Sequence, residues 1–344
     1  MPLNKKLLSE RDICTKYITP ALEAAGWNRH TQFLEEVSFT AGKIYVRGKL
    51  AARGQGKRAD YILYYKPNIP IAIIEAKDNT HSVRAGIQQA LDYAQILDIP
   101  CVFSSNGDGF LFHDRSLYAE APASAETKPR LEAGASRYIK NRSLYAEAPA
   151  SAETSPILEA GASRYIEQEL PLDQFPSPAD LWERYKSYKG IATTEAERIA
   201  AQDYYTDGSG RHPRYYQQIA INRTVEAIAK GQQRLMLVMA TGKGKTYTAF
   251  QIVWRLWKAG VKKRILFLAD RNALISQTKR GDFKHFGEQM TVVKNGKVDK
   301  AYEVYLALYQ GLSVDAGQLG GNSNVVRIRV LVSECAVMIR CSVL

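Results

Sequence analysis

The sequence predicts an α/β fold in two units, and three patterns predict it. Residues 59–65 and 71–77 are β-rich runs on either side of Lys66-Pro-Asn-Ile-Pro70, which reads as a strand pair with a short loop. A helical pattern over 82–97 follows, then two short strands around an Asn106-Gly107 turn. From Tyr215 onward helix, strand, loop, helix and strand alternate, the signature of a parallel sheet covered by helices. A length of 344 residues suits two domains, each able to bury a core.

The elements follow in order. Residues 9–25 read as an amphipathic helix: Ser9 is an N-cap with Asp12 three residues on, Ile13, Tyr17, Ile18, Ala21 and Leu22 recur at helical spacing, and Gly26 ends it. The helix over 82–97 carries Val83, Ile87, Ala90, Leu91, Ala94 and Leu97 on its apolar side. Residues 115–141 are then nearly repeated as 142–168, differing only at Lys128/Ser155, Arg130/Ile157, Lys140/Glu167 and Asn141/Gln168. Two units are too few for a self-supporting solenoid, and the composition is poor in apolar residues. The segment reads as a tandem insertion on a surface loop; a functional arm between the two units is the alternative. Residues 170–178 form a Pro-containing linker, 179–205 a charged helical stretch and 207–213 a Gly-rich loop. A helix to Ala229, a strand over 234–239, a helix over 245–259 and a strand over 264–269 complete the pattern.

Composition narrows the partners. The formal charge of +12 favours an anionic partner, nucleic acid first. With 45% apolar residues the chain is not disordered as a whole. Cys14, Cys101, Cys335 and Cys341 form no CxxC pair and have no His at zinc-ligand spacing, so they read as reduced thiols of a cytoplasmic protein. The N-terminus turns charged too soon for a signal peptide, and no apolar run approaches the roughly 20 residues of a membrane span.

Two constellations carry chemistry. In the first, strand alternation puts Glu75 and Lys77 on one face with Ile73, while Ala72, Ile74 and Ala76 line the other. Asp60, near the start of the partner strand, can meet Glu75 across the pair. Two carboxylates can hold Mg²⁺, which prefers oxygen ligands and lowers the pKa of a bound water. Lys77 can orient that water or stabilise the transition state. On the next helix Gln89 and Tyr93 stand four residues apart and share a face. Asp60, Glu75, Lys77, Gln89 and Tyr93, in that order, resemble the PD-(D/E)xK nucleases in their RecB-like branch with a Gln-x-x-x-Tyr motif. The resemblance implies a mixed sheet flanked by helices, with Gln89 and Tyr93 touching DNA or supporting the metal site. Glu10 matches the acidic residue that often completes such sites; a charge complementing the helix dipole is the alternative.

The second constellation is Ala240-Thr-Gly-Lys-Gly-Lys-Thr246, a loop that follows a strand and opens a helix. Such a turn wraps phosphates with its backbone N–H groups, including those of Gly242, Lys243 and Gly244; Lys245 reaches the terminal phosphates and Thr246 ligates Mg²⁺. Met239 stands where the full pattern has its first glycine, and the form present resembles motif I of superfamily 2 helicases. Arg214-Tyr-Tyr-Gln217 resembles the adenine-reading Q motif, residues 267–278 resemble motif Ia, and Tyr305–Gln310 resemble the next strand and its DNA-contacting turn. Lys243 departs from the small Thr or Ser of that family, and weakened ATP turnover is the expectation.

A PD-(D/E)xK head followed by a superfamily 2 motor resembles the R subunit of type I restriction enzymes. The expected division is a nuclease domain over 1–114, the duplicated insert over 115–168, a helical linker over 169–206, a partial RecA-like ATP-binding domain over 207–313 and an atypical tail over 314–344. The resemblance implies Mg²⁺ and ATP as cofactors, double-stranded DNA as substrate, and methyltransferase (M) and specificity (S) subunits as partners. It also implies a second motor lobe and a C-terminal helical domain, which this sequence lacks. Glu334-Cys335 resembles an Asp-Glu-Cys-His box in which Ser333 and Ala336 replace the outer residues, and the composition shift after Ser313 suggests out-of-frame sequence. The expectation is therefore a truncated R subunit, competent as a nuclease and deficient as a motor. The alternative is a non-catalytic remnant that binds DNA or ATP.

Overall fold

A computed structural model describes residues 4–40, 44–47, 50–53, 56–118, 167–261, 264–293, 299, 301–308, 328–332 and 336–341. Most of the duplicated insert and residues 333–335 lie outside the described residues. The N-terminal helix runs as α1 (Glu10–Ile13), a π-helical turn (Cys14–Ile18) and α2 (Thr19–Ala24). Ser9 and Asp12 form the expected capping box. Pro20 accounts for the wide turn: it has no N–H to give Lys16, and its ring crowds that carbonyl.

Next come β1 (Phe33–Thr40), a ribbon of β2 (Ile44–Arg47) and β3 (Leu50–Arg53), β4 (Gly56–Lys66), β5 (Ile69–Ala76), α3 (Ile87–Leu97), β6 (Cys101–Ser105), β7 (Gly109–Asp114) and β8 (Glu167–Pro171). They build a six-stranded sheet in the order β1-β4-β5-β6-β7-β8. Every neighbour is antiparallel except β5 and β6, which α3 connects as a crossover. Alternation in β5 divides the sheet as the sequence predicts. Ala72, Ile74 and Ala76 face a core with Ile13, Ile18, Leu22, Leu181 and Trp182. Ile73 faces α3, packing with Ala90, Ala94 and Leu97. α3 starts five residues later than the pattern over 82–97 suggests. The turn at Asn106-Gly107 packs against the first helix, where a Cβ on Gly107 would press on Ile13 at 3.1 Å; its φ of +85° is a second reason for glycine.

The charged stretch after β8 is two helices, α4 (Pro178–Lys189) and α5 (Thr194–Ala200), because Gly190 stops the first in a left-handed cap. Then follow α6 (Tyr215–Ala229), β9 (Arg234–Val238), α7 (Lys245–Lys258), β10 (Ile265–Ala269), α8 (Asn272–Arg280), β11 (Met290–Val292), β12 (Val304–Leu308), β13 (Ile328–Val332) and β14 (Ala336–Cys341). The second sheet runs β11-β12-β10-β13-β14-β9. β11, β12, β10 and β13 are parallel, while β14 is antiparallel to both β13 and β9, so this sheet is mixed rather than wholly parallel. The expected boundary at 313 is also too early for the sheet, since β13 and β14 both join it. Their apolar alternation explains this: Val330, Val332, Val337 and Ile339 enter the core beside Ile265 and Phe267.

Helix α6 ties the two units together. Gln218 donates to the Asn68 side chain at 3.0 Å and Asn222 to the Asn68 carbonyl at 2.9 Å, gripping the β4–β5 turn. Arg223 pairs with Asp98, the left-handed cap of α3, at 2.8 Å, and Lys189 of α4 pairs with the same carboxylate.

Candidate functional site

The β4–β5 pair sets the first site. Tyr61 lies opposite Ile74, so Asp60 and Glu75 are neighbours at the ends of adjoining strands. Asp60 accepts the Ala76 N–H at 2.8 Å, which fixes its carboxylate beside β5. Glu75 is 1% exposed and accepts from Gln89 Nε2 at 2.7 Å; Gln89 also donates to the Tyr93 hydroxyl at 3.2 Å. Lys77 pairs with Glu10 at 3.3 Å. All six side chains singled out in the sequence thus gather at one end of β5.

The other Glu75 oxygen, Oε1, is buried with no hydrogen-bond partner. Two ionised carboxylates repel each other and have no donor to share, and a proton or a bound cation relieves that repulsion. Burial, then the neighbouring Asp60 charge, pushes the Glu75 carboxyl up to about 9. Burial also raises Asp60, against the Ala76 N–H and Lys77, which favour its ionised form. An oxygen-only pair of a half-buried Asp60 and a buried Glu75 with an orphaned atom fits a hard divalent cation. Among the described residues no group of three or more His, Cys, Asp or Glu could close a protein-only cage, so such a cation would keep part of its water shell.

Three neighbours are not legible as site residues from the sequence. Gly86, before α3, approaches so closely that a Cβ would meet Glu75 Cβ at 3.2 Å. Lys57 lies over the Tyr93 ring at 4.8 Å. Glu36 sits between the Glu35–Tyr61 and Val37–Ala59 pairs of the β1–β4 ladder, on a level with Asp60. Its φ of +53° is unusual for a side-chain-bearing residue, and it pairs with Arg11 at 2.6 Å. None belongs to a recognisable spacing; the acidic pair Glu35-Glu36, in a strand otherwise fit for burial, is the one available signal.

The second site lies between β9 and α7. Gly242 and Gly244 both have φ of +77°, and a Cβ on Gly244 would collide with the Gln217 side-chain nitrogen. Gln217 donates to the Lys243 carbonyl at 3.0 Å and accepts the Arg214 N–H at 2.9 Å, so its amide holds the loop. Lys245 Nζ donates to the carbonyls of Met239 and Ala240, each at 3.2 Å. The half-buried Lys243 directs its own N–H to the Ala240 carbonyl at 3.3 Å. Thr246 stands in the first turn of α7, whose N-cap Gly244 offers no side-chain acceptor; the first N–H groups remain suited to an anion.

Comparison with known proteins bears on both units. The model of the type I restriction enzyme R protein N terminus matches residues 43–120, and that of the type III restriction enzyme res subunit matches 211–332. The chain is 47% identical over 311 residues to the EcoAI type I restriction enzyme endonuclease subunit of Escherichia coli, covering 90% of this chain and 33% of that one. It is 28% identical over 282 residues to the EcoKI endonuclease subunit of E. coli K12, covering 76% of this chain and 22% of that protein. A fragment structure of a type I restriction enzyme HsdR subunit from Vibrio vulnificus YJ016 superposes with a TM-score of 0.62 at 33% identity, covering 91% of this chain and 49% of that one. The chain belongs to the R subunits of type I restriction enzymes, in their N-terminal portion. The mixed α/β architecture agrees with that family. The res-type match runs to the end of β13, beyond the boundary expected at 313. The chain spans about a third or less of the length of the two curated relatives. Among the described residues no helix is long and apolar enough to cross a membrane.

Proposed function

We propose that this R-subunit chain carries a Mg²⁺-dependent nuclease site for double-stranded DNA beside an ATP-binding loop. The observation that carries the reading is the pairing of the half-buried Asp60 with the buried Glu75, whose Oε1 is orphaned, with Lys77 directly after the same strand. Asp60 and Glu75 would hold the metal, which when bound supplies charge neutralisation and an acidified water. Lys77 orients the attacking water or offsets charge on the phosphate. Gln89 fixes Glu75, Tyr93 fixes Gln89, and Glu10 holds Lys77 in place between turnovers. At the second site Lys245 exchanges its two carbonyl partners for nucleotide phosphates, Thr246 contributes a metal ligand, and Gln217 keeps the loop open.

The proposed partners are M and S subunits, and the proposed compartment is the cytoplasm, in keeping with the unpaired Cys14 and Cys101. Incubating the purified chain with linear and circular duplex DNA and Mg²⁺ tests the nuclease. Cutting that disappears in Asp60→Ala and Lys77→Ala supports it; no cutting by the parent chain leaves the non-catalytic binding reading in its place.

A further inference from the structure

Between β1 and β4 the chain makes an excursion that neither site uses. Residues 41–55 contain four Lys or Arg (Lys43, Arg47, Lys49 and Arg53) and no Asp or Glu. Within them β2 and β3 form a two-stranded antiparallel ribbon, in register from Ile44↔Arg53 to Arg47↔Leu50, outside both six-stranded sheets. The ribbon begins where the β1–β4 ladder ends, at Thr40↔Gly56. Asp60 stands four positions along β4 from Gly56, about 14 Å on an extended strand.

These features work against the isolated fold. A lone two-stranded ribbon is marginal in water, and a run of like charges repels itself. At its root Arg58 is exposed and only 3.7 Å from Glu36, whose shorter contact is to Arg11. Both features suit a duplex. The major groove admits a two-stranded ribbon, and cations along it displace condensed counterions from phosphates.

We propose that the β2–β3 ribbon is an arm that grips the phosphate backbone of double-stranded DNA next to the Asp60–Glu75 pair. The grip needs no metal, because it is made by cations rather than by the carboxylates. The inference rests on the nuclease reading, and its test separates the two.

Binding of a labelled duplex of about 30 base pairs to the full chain is followed by anisotropy in EDTA across a salt series. Arg47→Gln/Arg53→Gln is expected to weaken binding roughly tenfold or more near 0.1 M salt and to make the slope of log K against log salt shallower by about 1.8. Arg47→Lys/Arg53→Lys restores most of both. A second variant replaces residues 41–55 by Asn-Gly, a turn that can close the ladder between Thr40 and Gly56; it weakens binding at least as much while keeping the parental melting profile. Lys77→Ala, by contrast, fails to cut in Mg²⁺ but keeps the ribbon-dependent part of the binding in EDTA: adding Arg47→Gln/Arg53→Gln to it lowers affinity by the same factor as in the parent. Unchanged affinity and slope in both ribbon variants overturn the arm, as does tighter binding of single-stranded DNA than of duplex. A parent chain that binds duplex in the ribbon-dependent way but never cuts overturns the nuclease reading alone.

Discussion

Replacing Glu75 by Gln separates the chemistry of the proposed nuclease site from its stability. Gln is nearly isosteric with a protonated Glu. Its carbonyl can keep the hydrogen bond from Gln89, and its N–H₂ can donate toward Asp60 from the position of the orphaned Oε1. In the metal-free protein Glu75 binds a proton up to about pH 9, whereas in the unfolded chain it releases it near 4.5. The folded state therefore holds one more proton between those values, and stability falls as pH rises through the window. At about 1.4 kcal/mol per unit the loss reaches about 3 kcal/mol by pH 7 and on the order of 6 kcal/mol by pH 9. The substituted amide does not titrate, so the variant escapes this loss.

The assay is thermal and urea unfolding of parent and Glu75→Gln at pH 5 and pH 8, in EDTA and with saturating Mg²⁺. In EDTA the variant gains on the parent by a few kcal/mol between the two pH values. With Mg²⁺ the parent recovers, because a ligand at a hundred times its Kd adds about 2.7 kcal/mol, and the variant does not respond. DNA cutting is lost throughout. A variant that falls further behind the parent as pH rises, or that still cuts, would refute a proton-or-cation pair at this position.

Lys77→Ala abolishes cutting in a plasmid-nicking assay yet shifts unfolding by less than about 1 kcal/mol, since its ion-pair partner Glu10 is exposed to water. Asp98→Asn destabilises the chain by about 2–4 kcal/mol in urea, because it strips the nearly buried Lys189 of its main partner. Burial raises the Asp98 carboxyl, but Arg223 and Lys189 outweigh it and hold it below its ordinary value; its contribution is present above about pH 4 and lost as pH falls through the depressed value, so acid titration of stability flattens in the variant. Placing a lysine at the position that matches Lys243, in a family member that carries Thr there, lowers steady-state ATP turnover; equal rates show that the lysine side chain points away from the nucleotide.

What is legible in the sequence follows from range. Ser9 and Asp12, the alternation in β5, and Gln89 with Tyr93 are separated by four residues or fewer, and local geometry decides where they point. The same holds for Gly242, Lys245 and Thr246, whose placement follows from a strand, a turn and a helix in succession. Elements escape a sequence reading where a distant partner decides. Residues 328–341 look foreign by composition, yet β10 and β9 offer pairing edges that their alternating valines and isoleucines can fill. Gly190 divides a helical pattern that charge periodicity alone joins.

The junction between the units is the extreme case. Gln217 and Gln218 are adjacent and identical in type, but a helix turns successive side chains about 100° apart. One therefore holds the phosphate loop through the Lys243 carbonyl while the next holds the turn between the strands that carry Asp60 and Glu75. No spacing rule distinguishes the two, because the difference lies in what approaches α6 from either side. The consequence is mechanical. If a nucleotide draws the loop away from Gln217, it acts on a helix whose following turn, through Asn222 and Arg223, is bonded to the first unit at Asn68 and Asp98, so the two proposed sites share one helix.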